Sequence, residues 1–195
     1  MKSLLCSALN TLIFLTLLLA SSQNAHASVQ TQDETLRQLL LQAIKDTSEF
    51  EDRFSGEVWL MDMSNRLKRT IPDDHKRIRL LKLVYREARR ANLDPELVLA
   101  VIQVESNFDR WAISRAGARG LMQIMPFWLN EIGRPNDNLF NPATNLRFGC
   151  TILRHYLDIE RGNLTRALAR YNGSLGSNRY PNLVYAALRK RWFKQ

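Results

Sequence analysis

Residues 94–105 read DPELVLAVIQVE, a short run in which a polar start and an acidic end enclose an apolar middle. Asp94 is a favourable N-cap, and Pro95 suits the first helical position, where its missing N–H costs no hydrogen bond. The residues from 97 to 104 are almost all apolar, which is typical of a helix that has no broad polar face. This pattern predicts a strongly apolar helix that ends at Glu105.

Glu105 is the candidate catalytic residue. Helical steps place it above Val101 and Val98, so its carboxyl group points along the apolar face. It also lies at the C-terminal end of the helix, where the dipole disfavours negative charge. Both effects raise a carboxyl pKa, and a raised pKa keeps a general acid protonated near neutral pH. An ion pair with Arg110 or Arg119 is the structural alternative, which position alone does not decide.

The rest of the chain is predicted as helices separated by short breaks. Apolar residues at helical spacing, acidic starts and breaks at Pro or Gly mark the segments. Besides the helix described above, the predicted helices cover residues 33–45, 57–69, 75–91, 142–158, 164–171 and 181–192. Gly56 is interpreted as the break before the second of these. No segment alternates polar and apolar residues long enough to predict a strand, so the predicted fold class is mainly α.

Charge divides the chain into two unequal parts. The 195 residues carry 28 Lys and Arg against 19 Asp and Glu, a net charge of +9 at pH 7. Residues 28–75 hold 6 basic and 10 acidic side chains, whereas residues 76–195 hold 21 and 9. We therefore predict an acidic helical prefix, which either docks an envelope protein or packs on the basic domain that follows. The basic domain predicts an anionic partner: nucleic acid, a membrane surface or an acidic polysaccharide.

The first 27 residues have the pattern of a cleaved export signal. An uncharged apolar core at residues 11–20 follows a positive start, and Ala25 and Ala27 occupy the positions that a signal peptidase reads. Cleavage after Ala27 predicts an exported, periplasmic protein without a membrane span. An uncleaved anchor is the alternative, since residues 4–20 are nearly long enough to cross a bilayer.

Several other kinds of site are disfavoured by the residue pattern. His75 and His155 are far apart in sequence and lack carboxylates at ligand spacing, so no metal site is predicted. Gly117 and Gly120 have no strand before them and no lysine after them, which argues against a nucleotide-phosphate loop. Cys150 is interpreted as a buried thiol, because Cys150 and His155 point to different faces of one helix and do not form a nucleophile pair. No cofactor and no nucleic-acid partner are predicted.

Four motifs occur in order from residue 105 onward. They read ESNF at 105–108, SRAGARGLMQIMP at 114–126, NPATNLRFG at 141–149 and ALARYNG at 167–173. Together they resemble the soluble lytic transglycosylase (SLT) domain, a lysozyme-like family that cleaves peptidoglycan. The resemblance implies a helical domain of the goose-type lysozyme kind at residues 76–195. It also implies peptidoglycan glycan strands, whose lactyl-linked peptides carry carboxylates, as the anionic partner.

The resemblance further implies a site with one catalytic residue. Glu105 would act first as acid and then as base in a non-hydrolytic cleavage between N-acetylmuramic acid and N-acetylglucosamine, which forms a 1,6-anhydro ring. Asp109, the next carboxylate, is interpreted as a turn-capping residue. Gln123 would both donate and accept hydrogen bonds at sugar hydroxyls or an acetamido group. The implied substrate-binding residues are Ser114, Met122, Gln123, Tyr171, Asn172 and Tyr185, with Tyr180 as a further candidate. A hydrolytic muramidase and a catalytically silent wall-binding module stay open as alternatives.

Overall fold

The computed structural model describes the backbone of residues 53–193 and the side chains from Gly56 onward. The predicted export signal and the predicted helix at 33–45 lie outside the described residues. The described helices are α1 (Arg53–Leu67), α2 (Asp74–Arg90), α3 (Pro95–Ser106), α4 (Trp128–Ile132), α5 (Pro142–Ile159), α6 (Leu164–Tyr171) and α7 (Arg179–Ala187), followed by a π-helical turn, Leu188–Trp192. The prediction of a mainly α fold is confirmed for this part of the chain. None of these helices is long and apolar enough to cross a membrane.

Three helices begin where the sequence places an N-cap. The Asp73 side chain accepts a hydrogen bond from the Lys76 backbone N–H at 2.9 Å and starts α2. Asn141 and Asn163 accept backbone N–H groups in the same way at the starts of α5 and α6. A side-chain cap satisfies a backbone donor that the first helical turn leaves unpaired, so these starts are local properties of the sequence.

The predicted break at Gly56 is wrong, because Gly56 lies inside α1. A glycine in a helix interior costs about 1 kcal/mol relative to alanine, and buried side chains further along α1 offset this cost. Leu60, Met63 and Leu67 are each at most 2% exposed, and α1 packs on α2. The predicted boundary between residues 75 and 76 lies inside α2, and the described residues belong to one compact unit.

The C-terminal helix differs from its predicted extent of residues 181–192. Helix α7 begins at Arg179 and ends at Ala187, and the chain continues as the wider π-helical turn. Trp192 closes this turn and is fully buried. Its indole N–H donates to Gln103 Oε1 at 2.7 Å, which joins the turn to α3. Periodicity within the segment did not predict this change of helical pitch, and the hydrogen-bond partner of the Trp192 indole lies 89 residues away in sequence.

Helix α3 forms the centre of the core. Every residue from Leu97 to Ile102 is buried, and the helix packs against α2, α7 and the π-helical turn. Only its last turn, residues 103–106, is partly accessible. The core therefore holds α3 rigidly and leaves its C-terminal end, with Glu105, at the edge of the apolar interior.

Candidate active site

Glu105 lies in the last turn of α3 and is half-buried. Its Oε1 accepts a hydrogen bond from the Tyr180 hydroxyl at 2.6 Å. Tyr180 lies in the first turn of α7 and is 6% exposed. The two residues are 75 positions apart in sequence, and the packing of α3 on α7 brings them together. The second carboxyl oxygen, Oε2, has no hydrogen-bond partner among the described side chains.

Burial raises the pKa of Glu105 from its ordinary value of 4.5 to about 7. The apolar surroundings disfavour the ionised carboxylate, whereas the hydrogen bond from Tyr180 stabilises it and lowers the pKa in partial compensation. Near neutral pH the carboxyl group is therefore present both as an acid and as a base. A group with these two forms at the working pH suits both proton donation and proton acceptance.

The structural alternative for Glu105, an ion pair with an arginine, is wrong. The Arg110 guanidinium lies over the Trp111 ring at 4.4 Å from its centroid, and the Arg119 guanidinium lies over the Phe140 ring at 5.9 Å. Neither arginine lies within ion-pair distance of Glu105 in the described part of the chain. The raised pKa confirms the expectation from sequence, and its cause is burial.

Residues 120–123 form a loop next to Glu105, the Gly-Leu-Met-Gln loop, which is held in place by Asn145. The Asn145 side chain accepts from the Met122 N–H at 2.8 Å and donates to the carbonyls of Arg119 at 2.9 Å and Leu139 at 2.8 Å. Gly120 has a φ of +77°, and a Cβ there would lie 2.4 Å from Asn145 Nδ2. Only glycine fits this close approach in the left-handed region. The second and third sequence motifs are therefore two halves of one structural unit.

Gln123 lies at the end of this loop with its backbone at a φ of +49°. Its side-chain NH₂ donates to the carbonyls of Gly120 at 2.9 Å and Ala112 at 3.2 Å. A flipped amide would place an oxygen against both carbonyl oxygens, so the contacts determine its orientation. The expectation that Gln123 both donates and accepts is corrected: both amide hydrogens are engaged, and Oε1 is left to accept from a ligand.

Two serines fix the loop to its surroundings. The Ser106 hydroxyl, next to Glu105, donates to the Leu121 carbonyl at 2.8 Å and approaches the Ile102 carbonyl at 3.3 Å. The Ser114 Oγ accepts from the Ala118 N–H at 3.0 Å. Ser114 is exposed, and its hydroxyl hydrogen remains for a ligand because Oγ acts only as an acceptor in this bond.

Tyr171 and Met122 meet on the inner side of the loop. The Tyr171 hydroxyl donates to the Met122 carbonyl at 2.8 Å. Burial raises the Tyr171 pKa well above its ordinary value, and the charge of Glu105 adds to this effect, so the two residues share one electrostatic environment. The prediction that Met122 contacts substrate is wrong for its side chain, which is fully buried. A Cβ at Gly149 would lie 2.2 Å from the Met122 sulfur, so this side chain belongs to the core.

A pocket of about 230 Å³ opens beside the loop. The predicted substrate-binding residues Gln123, Tyr171 and Asn172 line it together with the aromatic residues Phe127 and Trp128. Glu105 does not line this pocket, although it interacts electrostatically with Tyr171. Amide groups and aromatic faces in a concave site are suited to a ligand with hydroxyl groups and apolar faces.

The two C-terminal tyrosines have different roles. The Tyr185 hydroxyl lies 2.9 Å from Thr165 Oγ1 and joins α7 to α6. Tyr180, in contrast, is hydrogen-bonded to Glu105. The sequence pointed to both tyrosines as candidates without distinguishing them. The distinction depends on which face of α7 packs on α3, and the short helix α7 carries no strong signal for that face.

Cys150 is fully buried, and its burial raises the thiol pKa. His155 is exposed on the same helix, so the disfavoured nucleophile pair does not form. No group of three His, Cys, Asp or Glu side chains at metal-binding distance occurs among the described residues.

The site defines a class of protein: a helical domain with a half-buried carboxyl group whose pKa burial raises to about 7, next to a loop that lines a polar and aromatic pocket. Residues 82–192 match the family model of the transglycosylase SLT domain, and the chain belongs to this family. The resemblance that the four motifs indicated is thereby confirmed.

Individual relatives match over part of their length. The chain is 40% identical over 82 residues to a transglycosylase of Enterobacteria phage PRD1. The matched segment is 42% of this chain and 30% of that protein. An inactive mutant of the lytic transglycosylase Slt from Pseudomonas aeruginosa is 27% identical, with a TM-score of 0.45 over 55% of this chain and 20% of that one. The 70 kDa soluble lytic transglycosylase of Escherichia coli is 21% identical, with a TM-score of 0.43. The match covers 74% of this chain and 26% of that chain. The chain thus spans between a fifth and a third of the length of these proteins.

Proposed function

We propose that this chain is an exported peptidoglycan lytic transglycosylase that cleaves the β-1,4 bond between N-acetylmuramic acid and N-acetylglucosamine without water. The observation that carries the proposal is the carboxyl group of Glu105, whose pKa burial raises to about 7 in a family of transglycosylases. A protonated carboxyl group is the donor that departure of a glycosidic oxygen requires.

The first step is protonation of the leaving group. Because Tyr180 donates to Oε1 of Glu105, the proton resides on Oε2 and moves from there to the glycosidic oxygen. The bond from this oxygen to C1 of N-acetylmuramic acid breaks, and N-acetylglucosamine leaves as an alcohol. The carbonyl oxygen of the 2-acetamido group bonds to C1 and carries the positive charge. The Tyr180 hydroxyl stabilises the carboxylate that Glu105 has become.

The second step returns the proton. Glu105 accepts a proton from the C6 hydroxyl while O6 bonds to C1 and the acetamido group is released. The product is a 1,6-anhydro ring, and no water is consumed. One residue serves both steps when its pKa lies near the working pH, which the value of about 7 meets.

A single-acid route is supported by the state of Asp109, the next carboxylate in sequence. Its Oδ1 accepts from the Trp111 backbone N–H at 2.8 Å, and the residue is exposed in a turn. Hydrolysing glycosidases pair two carboxyl groups across the scissile bond. The pKa of Glu105 depends on burial and on Tyr180, with no contribution from a second carboxylate.

Export to the periplasm is part of this proposal and rests on the signal pattern at residues 1–27. A basic domain outside the cytoplasmic membrane would meet the carboxylates of peptidoglycan, to which its positive charge is complementary. The suggested envelope partner of the acidic prefix stays a prediction, because most of residues 28–75 lies outside the described residues.

Mass spectrometry of the products released from purified sacculi tests the proposal. We expect muropeptides with 1,6-anhydro ends from the wild type and none from Glu105→Gln, whereas Glu131→Gln, which removes an exposed carboxylate from α4, should release the same products as the wild type. Reducing ends would replace the proposal with a hydrolytic muramidase. Equal release of muropeptides by the Glu105→Gln variant would remove Glu105 from the mechanism.

A further inference from the structure

Two neighbouring, mutually tilted aromatic rings and two guanidinium groups lie next to one another beside the loop. The Trp111 and Phe140 rings lie 5.6 Å apart with an interplanar angle of 38°. The guanidinium of Arg110 lies 4.4 Å from the centroid of Trp111, and that of Arg119 lies 5.9 Å from the centroid of Phe140. Trp111 is 59% exposed. We call these four residues the arginine–aromatic strip.

The two arginines of the strip combine an exposed position with a neighbouring aromatic ring. Several other arginines of the described residues lie within ion-pair distance of a carboxylate, among them Arg66, Arg77, Arg147, Arg154, Arg166 and Arg170. Within residues 56–193, neither Arg110 nor Arg119 has such a carboxylate. The nearby Asp109 accepts a backbone N–H through Oδ1 instead. The strip therefore presents two exposed guanidinium groups whose charge no acidic side chain neutralises.

The strip is joined directly to the candidate active site. The Ala112 carbonyl, one residue after Trp111, accepts from the Gly120 N–H at 2.9 Å and from the Gln123 side chain at 3.2 Å. Arg119 immediately precedes Gly120, and its carbonyl accepts from Asn145. The backbone that carries the strip is therefore fixed to the loop through these hydrogen bonds.

The chemistry of the strip favours a carboxylate. A guanidinium is planar and matches the two oxygens of a carboxylate through paired hydrogen bonds. Stacking on an aromatic ring orients the guanidinium before a ligand arrives, which reduces the entropy lost on binding. Exposed tryptophan and arginine side chains are also the residues that contribute most to binding surfaces.

We propose that the arginine–aromatic strip binds the carboxylates of the peptide side chains that glycan strands carry, so that this protein prefers peptide-bearing strands to bare ones. The inference rests on the proposed function, since it concerns a polymer whose sugars occupy the neighbouring loop and pocket. The proposal identifies the peptide carboxylates as the groups that the positive charges of Arg110 and Arg119 bind.

Binding without turnover tests the proposal. The Glu105→Gln background prevents cleavage, and fluorescence anisotropy then measures affinity for labelled glycan strands of matched length in three forms. The strands carry native peptides, peptides whose carboxyl groups have been converted to amides, or no peptides. In the third form an amidase has removed the peptides, and the lactyl carboxylates that it exposes have been converted to amides. We expect the change of Arg110 and Arg119 to Gln to weaken binding of the native form roughly 10-fold, the scale of two exposed charge-assisted contacts. Affinity for the other two forms should change less than about twofold.

A matched variant controls for the loss of two positive charges. Arg161→Gln with Arg189→Gln removes two exposed arginines outside the strip, and it should leave the affinity for native strands within about twofold of the starting value. Thermal unfolding confirms that each protein is folded. Equal losses on all three forms of strand, or an equal loss in the matched variant, would overturn the proposal. Failure of the proposed cleavage would show separately, as an absence of anhydro products from the wild type.

Discussion

Two of the described helices carry a glutamate at or next to their C-terminal end, and the pKa values of the two glutamates are shifted in opposite directions. Glu105 lies in the last turn of α3, and Glu160 is the C-cap of α5. Burial raises the pKa of Glu105 to about 7. Hydrogen bonds from Arg166 at 2.5 Å and from Arg170 at 2.8 Å lower the pKa of Glu160 below its ordinary value.

The contrast shows what controls a carboxyl group at a helix end. The helix dipole disfavours negative charge at both positions and is worth about 0.3–1 kcal/mol. Desolvation shifts a pKa by as much as 3–5 units, and a close guanidinium shifts it by about 1–3. The dipole therefore contributes less than burial at Glu105 and less than the two arginines at Glu160. Position at the C-terminal end of a helix predicts a raised pKa for both glutamates, which is right for Glu105 and wrong for Glu160.

The largest expected effect is a difference in cleavage activity between the variants Glu105→Gln and Glu160→Gln. If Glu105 is the general acid, Glu105→Gln should lower kcat/KM on purified sacculi by about 10²- to 10⁴-fold, the usual contribution of a positioned acid or base. Glu160→Gln should stay within about twofold, because its carboxylate pairs with Arg166 and Arg170 and, within the described residues, has no contact with Glu105 or the loop. Release of soluble muropeptides over time measures both. A similar loss in the two variants would show that the contrast in pKa has no catalytic meaning.

The second effect is a pH dependence of stability with opposite signs at the two sites. Between pH 4.5 and about 7 the folded protein keeps a proton on Glu105 that the unfolded chain has released, so stability falls as pH rises through this window. Glu105→Gln lacks this loss. The difference in free energy of unfolding between the variant and the wild type should therefore shift in favour of the variant by about 3 kcal/mol between pH 4 and pH 8. Urea denaturation across this pH range measures the difference.

Glu160→Gln provides the opposite case. The lowered pKa of Glu160 contributes stability above its ordinary value of 4.5, and this contribution is lost as pH falls through the folded-state pKa. The variant should therefore be less stable than the wild type at neutral pH, and the difference should close in acid. If the free energy of unfolding had the same dependence on pH in the two glutamate variants, the assignment of opposite pKa shifts to Glu105 and Glu160 would be contradicted.

The third effect concerns the hydrogen bond that moderates the pKa of Glu105. In the wild type, the hydrogen bond from the Tyr180 hydroxyl to Oε1 lowers the pKa of Glu105, and Tyr180→Phe removes this donor. We expect the alkaline limb of the pH profile of kcat/KM to move upward by roughly one pH unit, the equivalent of one hydrogen bond. Tyr171→Phe is the matched control, because the Tyr171 hydroxyl donates to the Met122 carbonyl. A downward movement in Tyr180→Phe would show that the hydroxyl does not stabilise the carboxylate.

The smallest effect is at Glu160 itself. Arg166→Gln removes the hydrogen bond that contributes most to its lowered pKa, so the pKa of Glu160 should rise towards its ordinary value. Carboxyl NMR titration measures this shift and, in the same sample, the pKa of Glu105, which should not change. An unchanged pKa of Glu160 would indicate that Arg170 alone maintains the ion pair.

The sequence by itself determined where several helices begin and indicated Glu105 as the candidate acid. Side-chain caps such as Asp73, Asn141 and Asn163 act on backbone groups a few residues away, and apolar periodicity within α3 acts over a single helix. The four motifs placed Glu105 and the Gly-Leu-Met-Gln loop in a known family, which the family match confirms. Local signals of this kind need no knowledge of the other elements.

Tertiary structure alone decided the partners of these residues. It placed Tyr180 on Glu105 across 75 positions, turned both amide hydrogens of Gln123 towards the backbone, and put the side chain of Met122 in the core. It also gave Glu160 two arginines and Glu105 none. The physical reason is that contacts between elements depend on which faces pack together, and the packing of several helices at once selects those faces.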